Sequence, residues 1–134
     1  MMGIGIVVAQ FNKDITQEME TFAVEYAKSH GVKVMEITPV PGVFDVPLAV
    51  KKLLQRKEIE GVAALGAVIQ GETHHDIVIM SACAHALAQL SLQYSKPVSL
   101  GIIGPRASWK QAMARKKEYA ERAVETIISL RELK

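Results

Sequence analysis

Short runs of consecutive apolar residues alternate along this chain with longer stretches in which apolar positions return every three or four residues. Ile4 to Ala9 is a continuous, largely β-branched run, the pattern of a strand buried on both faces. Ile15, Met19, Phe22, Ala23, Tyr26 and Ala27 then fall at helical spacing, with Asp14 predicted as the cap, Gln17 reaching back, and Gly31 as the stop. A second strand is predicted over Lys33 to Thr38. After the turn-rich PVPGVFD, a helix starts at about Val46, with Asp45 as cap and Pro47 in the first turn, where a missing N–H costs little. Gly61 to Ile69 reads as a third strand and His74 to Gln93 as a third helix, capped by Thr73 with Asp76 three residues on. Pro97 to Ile103 gives a fourth strand that Gly104-Pro105 breaks. Ser108 and Gln111 cap a last helix running to the C-terminus.

Strand–helix units of about 30 residues imply right-handed crossovers and a parallel sheet with helices on both faces. The expectation is one domain over residues 1–134, an α/β fold of the three-layer α/β/α sandwich type with a four-stranded parallel sheet, flavodoxin-like in outline. In such sheets ligands sit beyond the carboxyl ends of the strands. Any chemistry therefore belongs to Gln10-Phe11-Asn12, Pro41 to Asp45, Gln70 to His75, and Gly104-Pro105-Arg106.

Composition narrows the partners. The chain is 49% hydrophobic, 22% charged and carries a net charge of +2 with mixed signs, so neither nucleic acid nor a membrane surface is expected, and the ligand should be a small molecule. A single cysteine, Cys83, excludes an internal disulfide framework and fits a reducing compartment. With no charged leader and too short an apolar run at the start to span a bilayer, the expected location is cytoplasmic. The third helix is different. IVIMSACAHALAQL is apolar or small nearly all round, which predicts burial against the sheet on one side and another subunit on the other.

GAVIQGETHHD, residues 66–76, carries the densest chemistry. Its adjacent histidines suggest a metal, but His30 and His85 lie too far away in the pattern to complete a ligand set, and no metal is expected. The N–H groups of Gly71 to His74 open a helix, where unpaired donors and the positive end of the dipole favour an anion. A histidine in that first turn has its cationic form disfavoured and is suited to take a proton near neutral pH. A capped surface turn with idle histidines is the bland alternative. In the PVPGVFD turn, Gly42 permits close approach of a ligand. Phe44, like Phe11, is either core or an aromatic wall for a planar ring. Arg106 to Lys117 holds five basic residues, ordinarily a solvated face, yet one arginine there would suit a phosphate.

Five stretches in order, QFN, VPGVFDVPLAVKKLL, GAVIQGETHHD, PVSLGI and QAMAR, resemble the 6,7-dimethyl-8-ribityllumazine synthases of riboflavin biosynthesis, and the spellings VPGVFD and GIIGP are most similar to the archaeal branch. The resemblance implies a transferase that condenses 5-amino-6-(D-ribitylamino)uracil with 3,4-dihydroxy-2-butanone 4-phosphate, releasing phosphate and water, with no cofactor. It implies that Phe11 stacks on the pyrimidine and that Gly42, Val43, Phe44 and Asp45 hold the ribityl chain. It further implies that Val68 and Ile69 meet the pyrimidine through backbone groups, and that Leu100 adds van der Waals cover from a neighbour. Gly71, Glu72 and Thr73 would cradle the phosphate, with Arg115 of the neighbouring subunit as counter-charge. His75, four residues after the glycine, would move protons, which leaves His74 without a role. The sequence departs from many relatives at Gln10 (often Arg), Asp45 (often Glu) and Leu100 (often aromatic), and Lys116 and Lys117 match no family position. A homo-oligomer with sites between subunits follows, a pentamer and in many members an icosahedral shell of twelve pentamers. Alternatives are an archaeal-type riboflavin synthase, whose third loop lacks the GETHHD pattern, and a non-catalytic shell or flavin-binding subunit. A phosphorelay receiver would need acidic residues where Gln10 and Gln70 stand.

Overall fold

In the computed structural model, which describes residues 1–133, four parallel strands form one sheet in the order β2-β1-β3-β4. The elements are β1 (Gly3–Ala9), α1 (Lys13–Ser29), β2 (Lys33–Val40), a short 3-10 turn (Val43–Asp45), α2 (Val46–Leu54), β3 (Gly61–Ile69), α3 (His75–Tyr94), β4 (Val98–Ala107) and α4 (Trp109–Leu130). The α/β sandwich with a four-stranded parallel sheet agrees with the sequence pattern.

Alternation of side chains along the central strands divides the core in two. Ile4, Ile6 and Val8 of β1 with Ala63, Leu65 and Ala67 of β3 pack against Ile15, Met19 and Ala23 of α1 and Ala120, Val124 and Ile127 of α4. Val7 and Ala9 with Val62 and Ala64 face Val46, Val50 and Leu53 of α2 and Met80, Cys83 and Leu87 of α3. Every residue of β1 is buried, which explains its uninterrupted apolar run. Edge strand β2 continues two residues past the predicted end, through Pro39, whose missing N–H is tolerated at a sheet edge.

Several local expectations are corrected. Asp14 does not cap α1. Asn12 takes that position in the left-handed conformation (φ 66°), and the Asp14 carboxylate instead accepts from Trp109 Nε1 at 3.0 Å, tying α1 to α4. Asp45 takes the predicted N-cap position of α2 but makes no side-chain capping bond to it, its Oδ2 accepting instead from the Gly42 N–H at 3.0 Å. Thr73 sits one residue before the N-cap of α3, which is His74, and its Oγ1 accepts from the His75 N–H at 3.2 Å. Asp76 is drawn away from any capping box, as described below. Gly104-Pro105 does not end β4. The strand bends through a cis peptide at that pair and resumes pairing, Ala107 lying opposite Ile69. The Ser108–Gln111 capping box is present, with Ser108 N–H donating to Gln111 Oε1 at 2.9 Å and Gln111 N–H to Ser108 Oγ at 3.1 Å. The last helix ends at Leu130.

Helix α3 is long and apolar enough, by length and composition alone, to cross a membrane. Its Met80, Cys83, Leu87 and Leu90 face the core, while Ile77, Val78 and Leu92 are exposed. One face therefore meets the sheet as expected, and among the described residues nothing covers Ile77, Val78 and Leu92 on the outer face.

Candidate functional site

Strand order places the site. From β1 the chain runs outward to β2 on one side, and then returns across to β3 on the other, so the connections after β1 and β3 part at the carboxyl edge and leave a crevice. A cavity of about 470 Å³ lies there. It is lined by Phe11 and Asn12 after β1, Gly42, Val43 and Phe44 after β2, Ala67, Val68 and Ile69 at the end of β3, Gly71 and Thr73 in the following turn, and His75, Asp76 and Ile79 on α3.

The walls are held by specific bonds. Gln10 N–H donates to Val40 O and Phe11 N–H to Pro41 O, at 2.8 and 3.0 Å, so the loops after β1 and β2 continue the sheet's pairing beyond the strands. Asn12 adopts the left-handed conformation that its side chain tolerates, and donates from Nδ2 to Ala67 O at 3.0 Å, joining the first loop to the end of β3. With their backbones fixed, Phe11 and Phe44 are 73% and 68% exposed, an unusual state for two of the chain's three phenylalanines.

The turn after β3 is a run of donors. Gln70 N–H is tied to Ala107 O at 2.7 Å, but among the described residues the backbone N–H groups of Gly71, Glu72, Thr73 and His74 have no acceptor. Thr73 Oγ1 already accepts a bond, which leaves its hydroxyl proton free to point outward. Such a turn, at the start of a 20-residue helix, is suited to an anion.

Asp76 is the least expected lining residue. Only 3% exposed, it accepts from the Arg106 backbone N–H at 2.7 Å through Oδ2 and pairs with the Arg106 guanidinium at 3.3 Å through Oδ1. The bond from the Arg106 N–H holds the Asp76 carboxyl below its usual range, more than burial raises it. Arg106 Nη1 also lies 3.5 Å from His74 Nδ1.

Of the residues singled out in the sequence, Phe11, Gly42, Val43, Phe44, Val68, Ile69, Gly71, Thr73 and His75 surround one cavity. Asp45, bonded to the Gly42 N–H, and Glu72 are not among the lining residues. Leu100, 44% exposed on β4, and Arg115, on a separate cavity of about 200 Å³ with Arg106 and Tyr119, are not brought to it. Asn12, Asp76 and Ile79 line the site without having been given a role in it from the sequence. Asn12 closes the Gln10-Phe11-Asn12 loop that the sequence had marked after β1, without a role for its side chain; nothing local marked Asp76 for the site, its partner lying 30 residues away. Among the described residues no group of three His, Cys, Asp or Glu side chains is placed to hold a metal.

The family model described as 6,7-dimethyl-8-ribityllumazine synthase matches residues 1–134. The chain belongs to this family. A protein of Metallosphaera sedula with that name is 52% identical over 127 residues, covering 95% of this chain and 84% of the relative. One from Methanosarcina mazei is 47% identical over 129 residues, 96% of each chain. The names carried by these relatives do not favour a riboflavin synthase. For a lumazine synthase family member, the convergence of two exposed aromatic rings, an anion-suited turn and a histidine on one crevice is a coherent arrangement, whereas a purely architectural subunit has no need of it.

Proposed function

We infer that the protein condenses 5-amino-6-(D-ribitylamino)uracil with 3,4-dihydroxy-2-butanone 4-phosphate to 6,7-dimethyl-8-ribityllumazine, releasing phosphate and water. The observation that carries this reading, together with family membership, is the single crevice shared by Phe11, the Gly71–Thr73 turn and His75.

Phe11 supplies a flat apolar face for the pyrimidine, whose polar edge meets backbone groups of Val68 and Ile69. Val43 and Phe44 flank the ribityl chain, and the close approach possible at Gly42 brings it near Asp45. Because Oδ2 of Asp45 is engaged by the Gly42 N–H, Oδ1 is the oxygen available to a ribityl hydroxyl. The N–H groups of Gly71 and Glu72 and the N–H and hydroxyl of Thr73 receive the phosphate. His75, two residues further and first in α3, moves protons as the uracil 5-amino group forms an imine with the butanone carbonyl, as phosphate is eliminated, and as the ring closes. The imine joins the two substrates, so no enzyme lysine and no cofactor or metal is required. Holding both reactants in line can by itself supply about 7–11 kcal/mol in favourable cases.

Leu100 and Arg115 lie off their own chain's cavity, and the outer face of α3 exposes Ile77, Val78 and Leu92. Both observations support a homo-oligomer in which one domain's Leu100 and Arg115 complete a neighbour's site. We read the assembly as a pentamer, with the icosahedral shell as its further closed form, acting on soluble substrates in the cytoplasm. The test is to mix both substrates with purified protein and follow the lumazine by its fluorescence. Folded protein that yields none overturns the reading, and solution mass decides between pentamer and shell.

A further inference from the structure

The reading above places a dianion at the Gly71–Thr73 turn, and it is on that reading that the following rests. Asp76 is buried against the cavity in the first turn of the helix that follows, so the protomer sets a carboxylate beside the place where the phosphate must sit. Arg115 of the same chain lies on a separate cavity, one that Arg106 also borders. Beside the neighbour's Arg115 of that reading, a cation of the same protomer next to the turn would offset Asp76 and add to the attraction for phosphate.

Arg106 is placed for this. It lies near the end of β4 at φ 61°, a conformation unfavourable for a non-glycine residue. Asp76 Oδ2 holds it there through the backbone N–H at 2.7 Å. The contact from the guanidinium to Oδ1 is longer, 3.3 Å, against the roughly 2.7–2.9 Å of a strong charge-assisted bond. The carboxylate thus fixes the main chain of Arg106 more firmly than it engages the guanidinium. Among the described residues, the other guanidinium contact is His74 Nδ1 at 3.5 Å, in the N-cap residue that directly follows Thr73. The half-exposed guanidinium accordingly rests over the first turn of α3, with further N–H donors unengaged.

The geometry points to Arg106 as a second phosphate-binding cation, contributed by the same protomer as the Gly71–Thr73 turn and aimed by Asp76. His74 then acquires a place as the contact between the turn and that arginine.

The test measures KM for each substrate and, independently of turnover, the affinity for inorganic phosphate by calorimetry, in the full-length protein and in Arg106→Ala, Arg106→Gly and Arg106→Lys. The expected result is about tenfold weaker phosphate binding and a similar rise in KM for the butanone phosphate in the alanine and glycine variants. KM for the ribitylaminouracil should change little, and lysine should restore part of the loss. Glycine accepts positive φ freely, so Arg106→Gly should unfold no earlier than Arg106→Ala while still losing phosphate. Unchanged phosphate constants, or equal weakening for both substrates, overturn the proposal. Wild-type protein that binds phosphate yet forms no lumazine overturns instead the functional reading on which it rests.

Discussion

The Asn12 amide reaches across the crevice to the carbonyl of Ala67, 3.0 Å away, so that one side chain joins the loop that carries Phe11 to the strand that carries Val68 and Ile69. Because Asn12 also holds φ 66°, two effects separate by substitution. Asn12→Ala loses the bond and strains the backbone, for about 2 kcal/mol together. Asn12→Gly loses only the bond, for about 1 kcal/mol, less whatever flexibility it adds to the unfolded chain. Urea unfolding should rank them in that order, and both should raise KM for the ribitylaminouracil by loosening Phe11.

Phe11 and Phe44 are exposed, so their loss removes little from the core. Phe11→Ala and Phe44→Ala should leave the unfolding midpoint within about 0.5 kcal/mol of wild type, while KM for the ribitylaminouracil rises. Ile6→Ala in the fully buried β1 should do the reverse, costing roughly 2–5 kcal/mol. A phenylalanine variant that unfolds early with unchanged KM would return that ring to a structural role.

Asp76 gives the acid limb of stability a specific source. Its carboxyl is held below 3.8, the value it regains on unfolding, so its contribution is complete above that pH and is lost as pH falls through the folded value. Asp76→Asn should therefore be less stable than wild type at neutral pH, with the gap narrowing below about pH 4. Thermal unfolding across pH 2.5–7 measures it, and a gap independent of pH would contradict the assignment.

Cys83 is buried on the inner face of α3, and burial pushes its thiol up to about 11. The thiolate is the reactive form, so a thiol reagent at pH 8 should label native protein far more slowly than urea-unfolded protein. Equal rates would show that α3 opens readily from the sheet.

These residues also show what a sequence carries and what it does not. Pattern located β1, α1 and β3 because the two strands are buried on both faces and the helix on one, and the Ser108–Gln111 capping box located α4. The capping bonds expected of Asp14, Asp45 and Asp76 are absent for a common reason, although Asp45 does hold the N-cap position of α2. Each carboxylate has a local use that spacing suggests, and each is taken by another partner, Trp109, Gly42 and Arg106 respectively. The continuation of β4 through Gly104-Pro105 was hidden because breaker residues signal a stop, although Ala107 can still pair with Ile69 beyond them. In the site, motif spacing marked the residues that come from each loop, whereas Asn12 and Asp76 act through bonds between loops and became visible only once the sheet had brought those loops together.

His75→Ala should slow turnover without abolishing it, near the lower end of the roughly 10²–10⁴-fold range of general acid–base catalysis, because alignment of the two substrates survives the change. Its KM values should stay close to those of wild type. Complete loss of activity in a folded variant would mean that proton transfer carries more of the acceleration than alignment does.

The most direct measurement records lumazine fluorescence and released phosphate in the same reaction, with wild-type protein and both substrates. The account predicts that the two products rise together, one phosphate for each lumazine, and that neither appears above the uncatalysed background when either substrate is left out. Phosphate release without lumazine, or neither product from correctly folded protein, would contradict it.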